Sequence, residues 1–165
     1  MTAGRIEIVA EAPAWREAAR ELAPLFRKAA RLALKRSGKA EAGSLTILLA
    51  DDATLGRLNR QFRGKNKPTN VLSFPAAEGA AGYLGDIAIA DGVTAREAGE
   101  AGKAFSDHAV HLAVHGVLHL LGYDHQTAAE AKIMEPLETA ILSELGIADP
   151  YAARPARAPA KAKRA

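Results

Sequence analysis

The sequence predicts a single α+β domain, and three observations predict it. Short segments with strand character fall mostly in the first half, helical periodicity dominates the second half, and no internal repeat runs through the chain. At 165 residues the chain is long enough for one hydrophobic core and short for two. Its 48% hydrophobic and 25% charged residues are the composition of a folded globule. The expected organisation is a domain over residues 1–150 with a small four-stranded sheet, followed by a basic, disordered tail over 151–165.

The elements can be taken in order. Arg5 to Ala10 alternates, with Ile6, Ile8 and Ala10 on one face of a short strand. Ala14 to Lys35 is rich in Ala, Leu, Glu and Arg, and Leu22, Leu25, Phe26, Ala29 and Leu32 keep helical spacing. Ser37-Gly38 ends that helix. Ser44 to Ala50 reads as a more deeply buried strand, and Asp51 or Asp52 as the N-cap of a helix reaching about Phe62. A basic loop follows from Arg63 to Pro68. Val71 to Phe74 and Asp86 to Ile89 are two further strands, joined by a Gly/Ala-rich hairpin loop or wider excursion. Helices are then expected from Thr94 to about Ala101, Ser106 to Leu121, and Thr127 to Leu145, the last kinked or broken at Pro136.

All five histidines lie between His108 and His125. His115 and His119 are i and i+4 on a helix, so both rings leave the same face one turn apart and can share a cation. Gly122 tolerates positive φ, which lets the helix stop and the chain turn back, bringing His125 round as a third ligand. Three neutral imidazoles leave a bound Zn²⁺ its full charge and one open position, the pattern of a catalytic site. On a helical wheel His108, His111, His115 and His119 occupy about a quarter of the circumference. Ala109, Val110, Ala113, Val114, Val117, Leu118, Leu120 and Leu121 fill the rest, which makes this a central, buried helix with one polar stripe.

A lone histidine on such a helix would be a satisfied core group; the third one, behind a helix-stopping glycine, favours the metal. His108 and His111 are expected behind the ligands or along a cleft wall. Asp124 either orients an imidazole or caps the following helix. Glu135 and Glu138 read as a helix face, not as ligands. The ligand spacing equals that of the metzincin peptidases, but Gly116 stands where those enzymes carry the glutamate that takes a proton from water. Peptide hydrolysis would lack its general base.

The net charge of +3 is local in origin. The last 15 residues hold five basic groups and no acid, which leaves 17 basic against 19 acidic groups in the preceding 150. Arg57, Arg60, Arg63, Lys65 and Lys67 form one acid-free cluster. Both the loop and the tail are suited to phosphate, although the tail alone reads as a solvated end. A strand over Val71–Phe74 would fix one end of the loop, and Pro68 would stiffen its exit. Arg63 can then point at the metal, its planar fork matching two phosphate oxygens. There are no cysteines, so neither disulfides nor thiolate ligands arise. Met1 to Pro13 lacks the apolar stretch of a signal peptide and no run has membrane-spanning length, so a cytoplasmic protein is expected. Aromatic residues are only 5%, with no clustered Phe/Tyr pairs along the chain, so little base-sequence selectivity is expected of the domain alone.

The stretch His111-Leu-Ala-Val-His115-Gly-Val-Leu-His119-Leu-Leu-Gly122-Tyr123-Asp124-His125 resembles the signature of the YbeY family of zinc-dependent endoribonucleases, or rRNA maturation factors. A second block agrees, from Leu58-Asn59-Arg60-Gln61-Phe62-Arg63-Gly64 through Lys67-Pro68-Thr69-Asn70-Val71 to Phe74-Pro75. Gly85-Asp86-Ile87, Met134-Glu135-Pro136-Leu137-Glu138 and Asp149-Pro150-Tyr151 follow in order. The resemblance spans about Ile6 to Tyr151. It implies one zinc per chain on His115, His119 and His125, with Arg63 as the functional arginine. It also implies single-strand RNA cleavage in ribosomal RNA processing, 16S rRNA 3′-end maturation and ribosome quality control, with the ribosome or its proteins as partners. Asn66 stands where that family usually carries an acid. Two rival readings remain: a metallopeptidase-like hydrolase, and a non-catalytic ribosome-assembly factor in which zinc stabilises the fold.

Overall fold

Strand pairing decides where every helix can sit. In the computed structural model, which describes residues 4–65, 69–77 and 81–152, the elements in chain order are β1 (Ile6–Ala10), α1 (Pro13–Arg36), β2 (Ser44–Ala50), α2 (Asp52–Arg63), β3 (Val71–Pro75), β4 (Tyr83–Ala90), α3 (Asp91–Ala101), α4 (Phe105–Leu120) and α5 (Ala128–Glu144). Asn66, Lys67 and Pro68 of the basic loop, and residues 153–165 of the tail, lie outside the described residues. The four strands form one sheet in the order β1-β2-β4-β3. β1 and β4 flank β2 in parallel, whereas β3 pairs antiparallel with β4.

The domain is thus α+β with a mixed sheet, as expected from the early strands and late helices. The β1-α1-β2 crossover is a parallel unit that periodicity alone does not announce, because strand direction leaves no mark in the sequence pattern. β4 runs from Tyr83, three residues before the expected start, across Gly85 at φ +141. A Cβ there would lie 2.3 Å from the Phe74 carbonyl oxygen, so glycine is what lets β3 close on β4. The last helix continues through Pro136 as one segment instead of breaking there.

Alternation along the strands divides the core in two. Leu45, Ile47 and Leu49 of β2 and Ile87 and Ile89 of β4 share one face with α1, α4 and α5. The other face carries Ala50, Leu72, Ala88 and Ala90, covered by Leu55 of α2 and Val93 of α3. Trp15 fixes the entry of α1: it is fully buried, its indole N–H donates to the Ala50 carbonyl at 2.8 Å, and its ring meets Phe26 and Phe105.

α4 packs on α1, α3, α5, β3 and β4. Val110, Ala113, Val114, Val117 and Leu118 are fully buried. At Gly116 the helix approaches β4 so closely that a Cβ would meet Ile87 Cγ2 at 2.7 Å.

α2, which carries Arg63, starts at an N-cap where the Asp51 carboxylate accepts the Thr54 N–H at 2.8 Å. That bond holds the Asp51 carboxyl below its ordinary range. A carboxylate with a lowered folded-state pKa stabilises above its unfolded pKa, and that contribution fades as pH falls through the folded value. Asp51→Ala is expected to cost about 1 kcal/mol near neutral pH. In urea unfolding the gap from the parent should narrow as pH drops below 3.8, the ordinary Asp value.

Candidate metal centre

The polar stripe of α4 opens along the only side of the helix that its apolar residues leave uncovered. His108 and His111 are nearly buried within it, with side chains 11% and 12% exposed, while the rings of His115 and His119 lie nearer the surface. The helix then ends as Gly122 was expected to end it. Gly122 adopts φ +100, its N–H donates to the His119 carbonyl, and the Tyr123 N–H reaches back to the Leu118 carbonyl. This pair of bonds is the Schellman pattern, which reverses the chain within one turn. His125 returns over the helix end.

His115, His119 and His125 therefore converge. Their candidate ligand atoms all lie within 4.8 Å of one another. Ring centroids are 4.6 Å apart for His115 and His119, 4.8 Å for His115 and His125, and 5.2 Å for His119 and His125. The Nε2 atoms of His115 and His119 face each other at 3.0 Å. Two lone pairs cannot share that space without a proton or a cation between them. Burial pushes the His119 imidazole below its ordinary pKa, and the neighbouring His115 and His125 push it the same way. Neutral imidazoles are the form that ligates, so the donor set fits a divalent transition metal.

Glu138 is a buried partner of His115, a role that placing it simply on a helix face missed. Its side chain is fully buried, and its Oε2 accepts the His115 Nδ1–H at 2.5 Å. The Tyr151 hydroxyl donates to its other oxygen, Oε1. His111 Nε2 lies 3.8 Å from Oε2. Burial raises the Glu138 carboxyl, but the His111 and His115 rings outweigh it and hold the group down at about 2. Burial, then Glu138 itself, pushes the Tyr151 hydroxyl up, so it stays a donor. Since Nδ1 of His115 carries the proton given to Glu138, Nε2 is left with its lone pair toward the convergence point. A signal for Glu138 existed: Met134, Glu138, Ile141 and Leu142 make one buried helical stripe, and a glutamate on such a stripe needs partners.

Asp124 takes neither expected role. Its carboxylate accepts the His125 backbone N–H at 2.8 Å, while Thr127 caps α5 in a reciprocal capping box with Glu130. Glu135 lines the cleft without joining the histidines. Arg63, the last residue of α2, lines the same ≈740 Å³ cleft as the three histidines, together with Lys65, Asn70 and Ser73. Ser73 of β3 also ties that wall to α4 by donating to the Gly116 carbonyl at 3.1 Å. The chain shows no clustered aromatics, yet the fold pairs Phe62 with Phe74 at 5.4 Å on an adjoining groove that shares Arg63.

Fold and site together define a class: a single α+β domain with an open, histidine-rich metal-binding group on a central helix and a basic cleft wall. A family model described as "Endoribonuclease YbeY" matches residues 10–146. A Rhodopseudomonas palustris protein named endoribonuclease YbeY is 49% identical over 152 residues, covering 88% of this chain and 80% of that one. Another of that name, from Parvibaculum lavamentivorans, is 47% identical over 160 residues, covering 90% and 85%. The chain belongs to the endoribonuclease YbeY family. Its fold is shared with a Thermotoga maritima protein solved in solution, at TM-score 0.57 and 24% identity, over 90% of this chain and 99% of the other.

If Glu138 sets the tautomer of His115, Glu138→Gln should bind zinc about 10- to 100-fold more weakly in competition with a chromogenic chelator. Unchanged affinity would remove that role.

Proposed function

We propose that this protein is a zinc-dependent endoribonuclease that cuts single-stranded RNA in ribosomal RNA processing, including 16S rRNA 3′-end maturation, and in ribosome quality control. The observation that carries the reading is one cleft bordered by three convergent imidazoles and the Arg63 side chain. The catalytic domain runs through Tyr151, whose hydroxyl holds Glu138, and the basic tail follows it. Its partners are ribosomal RNA and the ribosome or ribosome-bound proteins, in the cytoplasm. Among the described residues no helix is long and apolar enough to cross a membrane.

One Zn²⁺ per chain would be held by His115, His119 and His125. Three nitrogen donors without thiolates suit zinc better than magnesium or calcium, which take oxygen ligands. When bound, the metal supplies a Lewis acid at the scissile phosphate. The chain's own groups do the rest. Glu138 and Tyr151 keep the His115 ring in the tautomer that presents Nε2. Arg63 receives the phosphate through its planar guanidinium and holds the charge that grows on the equatorial oxygens. Lys65 adds positive potential on the same wall, favouring a polyanionic strand over a neutral peptide.

The metzincin-like spacing favours a peptidase, but the local packing opposes it. Gly116 occupies the place of the peptidase glutamate, and its missing side chain would run into Ile87. A carboxylate there would have to displace the buried Ile87 side chain. In a non-catalytic assembly factor, by contrast, the arginine on the cleft wall would have no reacting group to serve.

Arg63→Ala should keep its fold and bound zinc while cleavage of single-stranded RNA falls by roughly 10²- to 10³-fold, the usual cost of losing one charge-stabilising donor. Near-parental cleavage would refute the assignment. His119→Ala is expected to lose both zinc, by elemental analysis, and cleavage. One retained zinc per chain would show the ligand set to be wrong.

A further inference from the structure

The solvent-facing side of α1 changes character halfway along. Its first half mixes signs, Arg16 and Arg20 with Glu17 and Glu21. Beyond Pro24 every exposed residue of the helix is basic: Arg27, Lys28, Arg31, Lys35 and Arg36. No acid occurs between Glu21 and Glu41. Four of these, Arg27, Lys28, Arg31 and Lys35, line a shallow ≈420 Å³ groove with only Leu32 beside them.

A merely solvated helix interleaves charges, because like charges at i and i+4 repel. Arg27, Arg31 and Lys35 stand on one such ridge. The helix dipole accounts for cations in the last turn, Lys35 and Arg36, but its influence does not reach Arg27, Lys28 and Arg31. Arg36 also pairs with Glu144. Arg27 and Arg31 are held in place by donating to the carbonyls of Ile6 and Gly4, at 3.2 and 3.0 Å. Two of the four side chains are therefore fixed, and the array concentrates positive charge in a body that is net negative.

We propose that this face of α1 is a second RNA-docking surface that binds the phosphate backbone away from the scissile bond. The proposal rests on the endoribonuclease reading. It adds a surface separate from the metal cleft: α1 packs its buried side on α4 and β1, and none of Arg27, Lys28, Arg31 and Lys35 on its exposed side lines the cleft. A short oligonucleotide can occupy the cleft alone, while a long strand engages both surfaces.

The test uses the full chain carrying Lys28→Glu and Lys35→Glu, two exposed positions outside the cleft. Binding of a labelled 30-nucleotide single-stranded RNA is followed in chelator, so that no cleavage intervenes. Cleavage of a labelled hexanucleotide is followed separately in zinc. The expected result is roughly 10-fold weaker binding of the long RNA at low salt, and a log–log salt slope shallower by about 1.4 for two lost phosphate contacts. Hexanucleotide cleavage should equal the parent's. Unchanged affinity and slope for the long RNA would overturn the proposal. So would equal loss with both substrates, or a loss confined to anionic phospholipid vesicles. If the parent binds long RNA through this face yet does not cleave the hexanucleotide in zinc, the endoribonuclease reading fails and the docking surface stands.

Discussion

The structure depends on how α4 is buried. One helix must satisfy a hydrophobic core on most of its circumference and hold four histidines on the remainder. The valines at 110, 114 and 117 and Leu118, each fully buried, contribute on the order of 1.5–3 kcal/mol apiece by leaving water. An unpartnered buried polar group costs about 1–3 kcal/mol. The apolar side wins, so the helix goes in, and its histidine stripe must find partners or an opening. Both solutions are used, in order along the helix. His108 bonds Glu97 at 2.8 Å, His115 bonds Glu138, and His119 reaches the cleft mouth.

Rigidity of the centre follows from that burial. His115 and His119 ride on a helix clamped between sheet and helices, with Gly116 allowing closest approach to Ile87. His125 sits on a turn, but the turn is fixed by two backbone bonds before it and a capping box after it. The C-terminal strap adds a further constraint. Asp149 accepts from the Tyr151 N–H and the Thr139 hydroxyl, which sets Tyr151 where its own hydroxyl meets Glu138. A carboxylate buried without charge-bearing or donating neighbours would protonate. Here the tyrosine and the imidazoles keep it ionised and able to order a ring.

What the sequence made legible depended on the range of the signal. His115, His119, Gly122 and His125 lie within eleven positions, and helical geometry alone brings them together. The four strands were visible from alternation and apolar runs, but not the parallel direction of β1 and β2, which is a property of the crossover. The pairing of His115 with Glu138, of Glu138 with Tyr151, and of Phe62 with Phe74 spans elements. Only the fold brings those side chains into contact. Glu138 was still half-visible, since an acid on a buried stripe contradicts its surroundings, and that contradiction marks a functional group more often than an error. Asp124 misled because two local roles suited it, and the neighbouring Thr127-to-Glu130 pair satisfied the cap first.

Net charge, finally, is a poor guide to what such a domain can bind. At physiological ionic strength a charge is felt over about 8 Å, so a strand of RNA samples neighbourhoods, not totals. The folded body carries more acids than bases, yet its cationic groups cluster on the cleft wall and along half of α1. Asp124 and Glu135 border the cleft on its histidine side, and other acids are engaged away from it: Glu138 is inside, Glu130 caps α5, and Asp52 accepts the Val93 N–H beside Arg96. Segregation of this kind makes the surface a set of local fields of opposite sign. A polyanion approaching it is then sorted by where it lands before any base is read.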